Sequence, residues 1–267
     1  MIDLEHGNME TTNTAHSGAV APGRSELRLE GVSKSYGGVK ALQGLSTTFR
    51  AGLTGIVGDN GAGKSTLLKI LSGVTTPDIG EIVLNEREVH LTSPIVARNE
   101  GIESLYQDLA LADTLDITAN IFMGRELTRS FGGVKVLRHK AMARAARETL
   151  EQVHIRIPDV AATVRSLSGG QRQAVALARA VRFNAPVVLL DEPTAALGPR
   201  ETAAVLEIIK KLVDTGRLVI VVTHDIPAIV GMADHIIVMR AGKIVREVDP
   251  HMTTQEELLA YMVGTRT

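Results

Sequence analysis

GIVGDNGAGKSTLLKIL, residues 55–71, passes from an apolar strand pattern through a loop of small residues into a helical pattern. Gly58, Gly63, Lys64 and Ser65 meet the spacing G-x-x-x-x-G-K-[ST], with Asp59, Asn60, Gly61 and Ala62 filling the loop and Thr66 following it. The small residues let successive backbone N–H groups converge on a phosphate. The helix that starts near Lys64 adds its positive dipole end, Lys64 neutralises phosphate charge, and Ser65 can ligate Mg²⁺. A glycine-rich structural turn is the plain alternative. The strand before the loop and the helix after it favour the cradle.

Further along, VVLLDEPTAALG (187–198) runs four apolar residues into Asp191 and Glu192. Burying two adjacent carboxylates is costly unless each is paired or bound to a metal. Taken by itself, the pair equally fits a strand that ends in water. A phosphate-bound Mg²⁺ at the carboxyl edge of a sheet supplies the missing partner: Asp191 then holds the ion's water shell, and Glu192 is placed to orient or deprotonate an attacking water. In SLSGGQRQAVALARAV (166–181), Ser168, Gly169 and Gly170 open a helix whose apolar positions Val175, Ala178 and Val181 recur at helical spacing. This is a second helix start able to meet an anion, although an ordinary serine cap with a glycine hinge would read the same way.

Outward from these motifs, PVVLLD and RLVIVVTHD are continuously apolar, as central parallel strands covered on both faces would be. Residues 27–49 alternate more and carry Gly37-Gly38 as a turn, predicting an antiparallel sheet beside the main one. From about 109 to 182 the pattern is helical. Residues 139–153 place Met142, Ala146, Leu150 and Val153 on one helix face, and the basic run 138–147 reads as a solvated face. RAGKIVREV predicts a closing hairpin, and 254–263 a last amphipathic helix. Residues 1–25 read as a disordered tail and 26–267 as a single α/β domain with a helical sub-domain at about 109–182.

Composition narrows the classes. The 267 residues suffice for one large domain, 44% are hydrophobic, and 3% aromatic with no Trp suggests an aliphatic core. With 29 basic against 30 acidic residues the net charge is -1, which lacks the excess of a dedicated nucleic-acid binder. Zero cysteines exclude disulfides and thiolate chemistry. The first residues carry Asp3 and Glu5 where an export signal needs basic residues and then an apolar run. No apolar string approaches the roughly 20 residues of a membrane span, so the isolated chain is expected to be soluble.

From residue 27 to about 263 the chain resembles the ATP-binding subunits of ABC transporters. The resemblance rests on an ordered set: GDNGAGKST as Walker A, Gln107 in LYQDLAL as the Q-loop, LSGGQ (167–171) as the signature, VVLLDE as Walker B and His224 in VTHD as the switch histidine. It implies a P-loop NTPase core with a parallel sheet, a flanking antiparallel β-subdomain and a helical insert. Mg-ATP would lie between Walker A of one subunit and Ser168, Gly169, Gly170 and Gln171 of another in a homodimer with two shared sites. Gln107, Glu192, His224 and Lys64 would serve catalysis, with Ser65, Gln107 and Asp191 at the metal. Tyr36, in SKSYGG, sits where the family stacks a ring on adenine. In one departure, Gly198 stands where the family usually has Asp after EPTAAL, which puts its cross-subunit contacts in doubt. The EPTAALG ending and residues 101–126 are similar to single-module ATPases of bacterial simple-sugar importers. These work with integral membrane permease subunits on the cytoplasmic side of the inner membrane, and indirectly with a periplasmic or extracellular solute-binding protein; no nucleic acid is expected. A soluble ABC protein acting on nucleic acid or ribosomes, and a nucleotide sensor, are the alternatives. The absence of tandem modules and coiled-coil inserts opposes the first, and intact Glu192 and His224 oppose the second.

Overall fold

The computed structural model describes residues 25–106, 109–152, 159–195 and 197–265. The tail 1–24, Gln107 and Val153 lie outside the described residues. The strands are β1 (Glu26–Tyr36), β2 (Val39–Arg50), β3 (Gly52–Gly58), β4 (Ile79–Leu84), β5 (Arg87–Glu88), β6 (Ile102–Leu105), β7 (Thr128–Phe131), β8 (Val134–Leu137), β9 (Val187–Asp191), β10 (Leu218–Val222), β11 (His235–Arg240) and β12 (Lys243–Val248). The helices are α1 (Lys64–Leu71), α2 (Pro94–Asn99), α3 (Ile117–Phe122), α4 (His139–Gln152), α5 (Gly169–Arg182), α6 (Pro199–Asp214), α7 (Ile226–Val230) and α8 (Gln255–Val263).

The continuously apolar runs form the centre of a six-stranded sheet in the order β12-β11-β3-β10-β9-β6. All its pairings are parallel except β11 with β12. Alternate side chains feed two separate cores. Leu53, Val57, Val188, Leu190, Val219 and Val221 point into one, against Val175 and Leu177 of α5 and Val205 and Ile208 of α6. Ile56, Val187, Leu189, Ile220 and Val222 point into the other, against Leu67, Ile70 and Leu71 of α1 and Leu27, Leu29 and Phe49 of the antiparallel sheet β2-β1-β4-β5. Full burial of each such side chain contributes about 1.5–3 kcal/mol. This two-sided coverage is why these strands read as unbroken apolar runs, whereas β1 and β2 alternate.

Register then collects the motifs on one edge. Val222 lies opposite both Ile56 and Asp191, Met239 opposite Gly58, and Leu105 opposite Leu190. The loop after β3, the carboxylates at the end of β9, Thr223 and His224 after β10, and the chain after β6 therefore leave the sheet together at its carboxyl edge, where open α/β sheets bind ligands.

The stretch read as helical, 109–182, contains α3, α4 and α5 but also the hairpin β7–β8. Its sequence TRSFGGVKVL has a signal that the helical reading passed over. Gly132 and Gly133 both take positive φ, 55° and 81°, as a two-residue hairpin turn requires. In α4, Met142, Ala146 and Leu150 are buried, together with Ala145 and Thr149.

Behind α3, Asn120 is fully buried. Its Oδ1 accepts from Ala112 N at 2.8 Å, and its Nδ2 donates to the carbonyls of Ala112 at 3.0 Å and Asp116 at 2.9 Å. These bonds fold the irregular segment before α3 against the helix. Asn120→Ala leaves buried backbone groups without partners and is expected to cost about 2–3 kcal/mol, read as a lowered urea midpoint.

Candidate active site

Helix α1 starts from Gly63, whose φ of 102° suits glycine and which offers no capping side chain. The first-turn N–H groups are thus left for a ligand, at the positive end of the helix dipole. Space also demands the glycines: a Cβ on Gly63 would meet the Ala41 carbonyl oxygen at 2.7 Å, and one on Gly58 would run into that of Met239. Lys64 is buried and curls over the loop, its Nζ donating to the carbonyls of Gly58 at 2.7 Å and Asp59 at 3.1 Å.

Asp191 ends β9 half-buried, and its Oδ1 is buried with no hydrogen-bond partner. Burial raises its pKa, the neighbouring Glu192 charge adds to the rise, and Lys64 and Lys69 oppose it. A carboxylate so placed suits a hard cation. Asp191 and Ser65 line one cleft with Lys69, Tyr106 and Ala110, and a hydroxyl and a carboxylate are ligand types that Mg²⁺ takes. The last two residues flank Gln107, which itself lies outside the described residues.

Glu192 adopts a left-handed φ of 50°, a conformation costing a non-glycine residue about 1–2 kcal/mol. Its N–H donates to the Val222 carbonyl at 2.9 Å, which fixes the turn. The carboxylate meets His224 Nδ1 at 2.5 Å, and the His224 side chain is 73% exposed. Thr223 Oγ1 accepts from Asp225 N at 3.0 Å and Asp225 caps α7, so the loop carrying the histidine is held at both ends. The exposed imidazole and strained carboxylate form a polar pair facing open space, a common arrangement at functional sites.

A cleft of about 1230 Å³ opens over these groups. It is lined by Gly58 to Thr66, Glu192 and His224, and also by Val39, Lys40 and Met262. The last three were missed by sequence reasoning, because only the packing of β2 and α8 brings them there. For β2 backbone contacts do this work: Gln43 N donates to the Gly242 carbonyl at 2.8 Å and Gly242 N to the Ala62 carbonyl at 3.0 Å. Tyr36, half-exposed with Lys34 Nζ 5.7 Å from its ring centre, stands at the end of β1 just outside the cleft lining.

Ser168, Gly169, Gly170 and Gln171 form a separate feature, exposed at Ser168 and Gly169 and half-buried at Gly170 and Gln171, that contributes nothing to that lining. Ser168 Oγ accepts from Gln171 N at 3.4 Å while Gln171 Oε1 accepts from Ser168 N at 3.0 Å, a reciprocal cap that shapes the start of α5. A Cβ on Gly170 would lie 2.8 Å from Glu201 Cβ, and one on Gly198 would lie 2.7 Å from Glu201 Oε2. Glu201 of α6 thus fills the space at the start of α5 and the space a side chain at position 198 would take.

The family model described as ABC transporter matches residues 42–195. Among curated proteins, the xylose/arabinose import ATP-binding protein of Sulfolobus acidocaldarius is 45% identical, covering 89% of this chain and 94% of that one. The fructose import ATP-binding protein of Rhizobium meliloti is 39% identical over 90% of this chain and 94% of that protein. A solved dimeric ATP-binding cassette in a post-hydrolysis state, bound to ADP and Pi, superposes with a TM-score of 0.71 at 26% identity, covering 84% of this chain and 98% of the other.

The raised pKa of Asp191 has a testable sign. Folding holds that proton more tightly than the unfolded chain does, so the stability it contributes is present at low pH and is lost as the pH rises through the folded-state value. Asp191→Asn is therefore expected to leave the ligand-free chain at least as heat-stable as wild type at neutral pH. It should also abolish the extra stabilisation that Mg-ATP gives over ATP with EDTA, and differential scanning fluorimetry reads both.

Proposed function

From the premise that the chain belongs to the ABC transporter family, as an ABC-type ATPase, we propose that it energises import of a monosaccharide through separate membrane subunits. The observation that carries the cargo class is identity of 39–45% across nearly the full length of two proteins named for sugar import. Among the described residues no helix is long and apolar enough to cross a membrane, which suits a peripheral subunit on the cytoplasmic face working with permease subunits and, through them, a solute-binding protein.

In this reading residues 26–267 act as one ATP-binding domain with a helical sub-domain at about 109–182. The first-turn N–H groups of α1 and Lys64 hold the nucleotide phosphates; Ser65, Asp191 and Gln107 hold Mg²⁺, which when bound offsets phosphate charge. Glu192 orients or deprotonates the attacking water, and His224, within hydrogen-bond distance of it, steadies that carboxylate. Tyr36 supports the adenine ring from the rim.

Because the start of α5 does not line the cleft, the phosphate site in one chain lacks it. A second copy arranged head-to-tail supplies Ser168, Gly169, Gly170 and Gln171, giving two sites by two-fold symmetry. The segment following Gln107 is tied to the same helix: Arg172 pairs with Asp113 at 2.5 Å, and Arg179 donates to the carbonyls of Ala110 at 2.9 Å and Asn120 at 3.1 Å. Movement of α5 on closure therefore carries that segment along, which supports a route from nucleotide to permease.

Glu192→Gln is expected to bind ATP with near wild-type affinity and lose roughly 10²–10⁴-fold in turnover. A wild-type hydrolysis rate in that variant would overturn the assignment. In the assembled complex, Ser168→Arg should halt hydrolysis although no part of Ser168 lines the cleft of its own chain; full activity would contradict the shared site. For the cargo, uptake of labelled xylose, arabinose, ribose and fructose is compared in cells with and without a functional chain. Equal uptake of every sugar would remove the monosaccharide reading.

A further inference from the structure

The hairpin β7–β8 carries an exposed surface that the nucleotide site does not use. Every residue of both strands is exposed. Cross-strand register puts Phe131 opposite Val134 and Arg129 opposite Val136, so these four share one face of the ribbon. Phe131 is 76% and Val134 64% exposed, which leaves that face apolar and unpartnered. A two-stranded ribbon is marginal in water without burial of such a face.

Between Glu126 at its base and Glu148 on α4, charge along the hairpin segment is one-sided. From Leu127 to Arg147 the sequence holds six Lys and Arg residues and no Asp or Glu, in a chain whose net charge is -1. Arg129, Lys135, Arg138, Lys140, Arg144 and Arg147 are all exposed, and none forms an ion pair among the described residues. On α4, Lys140 and Arg144 share their face with Arg147 but also with the exposed Glu148 and Glu151, so the excess of cations belongs to the hairpin and the first turns of the helix.

We propose that the hairpin β7–β8 and the first turns of α4 form a membrane-docking surface for anionic lipid headgroups, with Phe131 and Val134 entering the headgroup region. An apolar tip ringed by unpaired cations is the chemistry that an anionic bilayer surface recognises. A nucleic acid would match the charge but leave the valines without a use, since it rewards stacking platforms. A groove in a protein partner would bury the tip but gives no reason for a run without a single acid. The inference goes beyond the import reading and is independent of which solute is carried. Each Lys or Arg brought to such a surface strengthens binding about five-fold.

The chain contains no Trp, so Phe131→Trp installs a single fluorescent reporter at the tip. With the full chain, vesicles of phosphatidylcholine containing phosphatidylglycerol are expected to bind in co-sedimentation and to shift the emission of the introduced indole to the blue. Pure phosphatidylcholine vesicles should do neither, and added salt should reverse the binding. The triple variant Arg129→Ala, Lys135→Ala, Arg138→Ala should lose about 100-fold in vesicle affinity. Exchanging Arg129→Lys and Lys135→Arg should keep it. ATPase activity of the isolated variants, expected to be unchanged, shows that they fold and separates this test from the catalytic assignment. Equal binding to both vesicle types, an unshifted emission, or a triple variant that binds like wild type would overturn the proposal. So would capture of RNA or of detergent-solubilised permease through the same residues without vesicle binding.

Discussion

A strand buried on both faces must satisfy its backbone within the sheet and its side chains in two cores at once, and β3 lives under that constraint. It lies between β11 and β10, with Leu53 and Val57 in one core and Ile56 in the other. Such a strand has no freedom to shift: a slip of one residue would exchange the two cores. Its end at Gly58 is therefore a fixed point, and the glycine-rich loop before α1 begins there. The helix that follows packs Leu67, Ile70 and Leu71 beneath the sheet, so the positive end of α1 is anchored by apolar burial and not by a capping side chain.

The same constraint explains how two carboxylates come to stand at the carboxyl edge of the sheet beside that loop. Parallel pairing of β9 with β10 and β10 with β3 sets the last residue of β9 level with the loop. Asp191 is held half-buried with one oxygen unpartnered, and Glu192 is turned through an unfavourable φ onto His224. Neither arrangement favours the ligand-free chain. Apolar packing of Val187 to Leu190 supports both, so stability drawn from the core maintains unfavourable geometry at the edge.

Polar contacts join the insert to the core by another principle. Glu103, buried on β6, lies 3.3 Å from Arg125, whose guanidinium also sits 4.5 Å from the Phe183 ring centre. Burial raises the Glu103 pKa while Arg125, Arg98 and Arg179 pull it down. Buried charge of this kind is tolerated only with close partners, and it specifies one relative placement of β6, α3 and α5 where apolar contact alone would accept several.

Local sequence determined what depends on near neighbours in the chain. The loop 58–66 needs small residues and a following helix; the runs at β9 and β10 need only apolar side chains without interruption; the reciprocal cap of Ser168 and Gln171 spans four residues. Each was legible because its physics is short-range. The hairpin β7–β8 was legible too, in GG between alternating residues, but the helical periodicity around it outweighed four-residue strands. Tertiary structure alone decided the rest. Nothing in GGVKALQ says that Ala41 lies against Gly63 and Gly242, or that Val39 and Met262 share a cleft with Lys64. Glu201 reads as an ordinary acid in the first turn of α6, yet it fills the space beside both Gly170 and Gly198. These contacts join residues far apart in sequence, and they exist only because two cores fix the distances between elements. No spacing pattern along the chain encodes them.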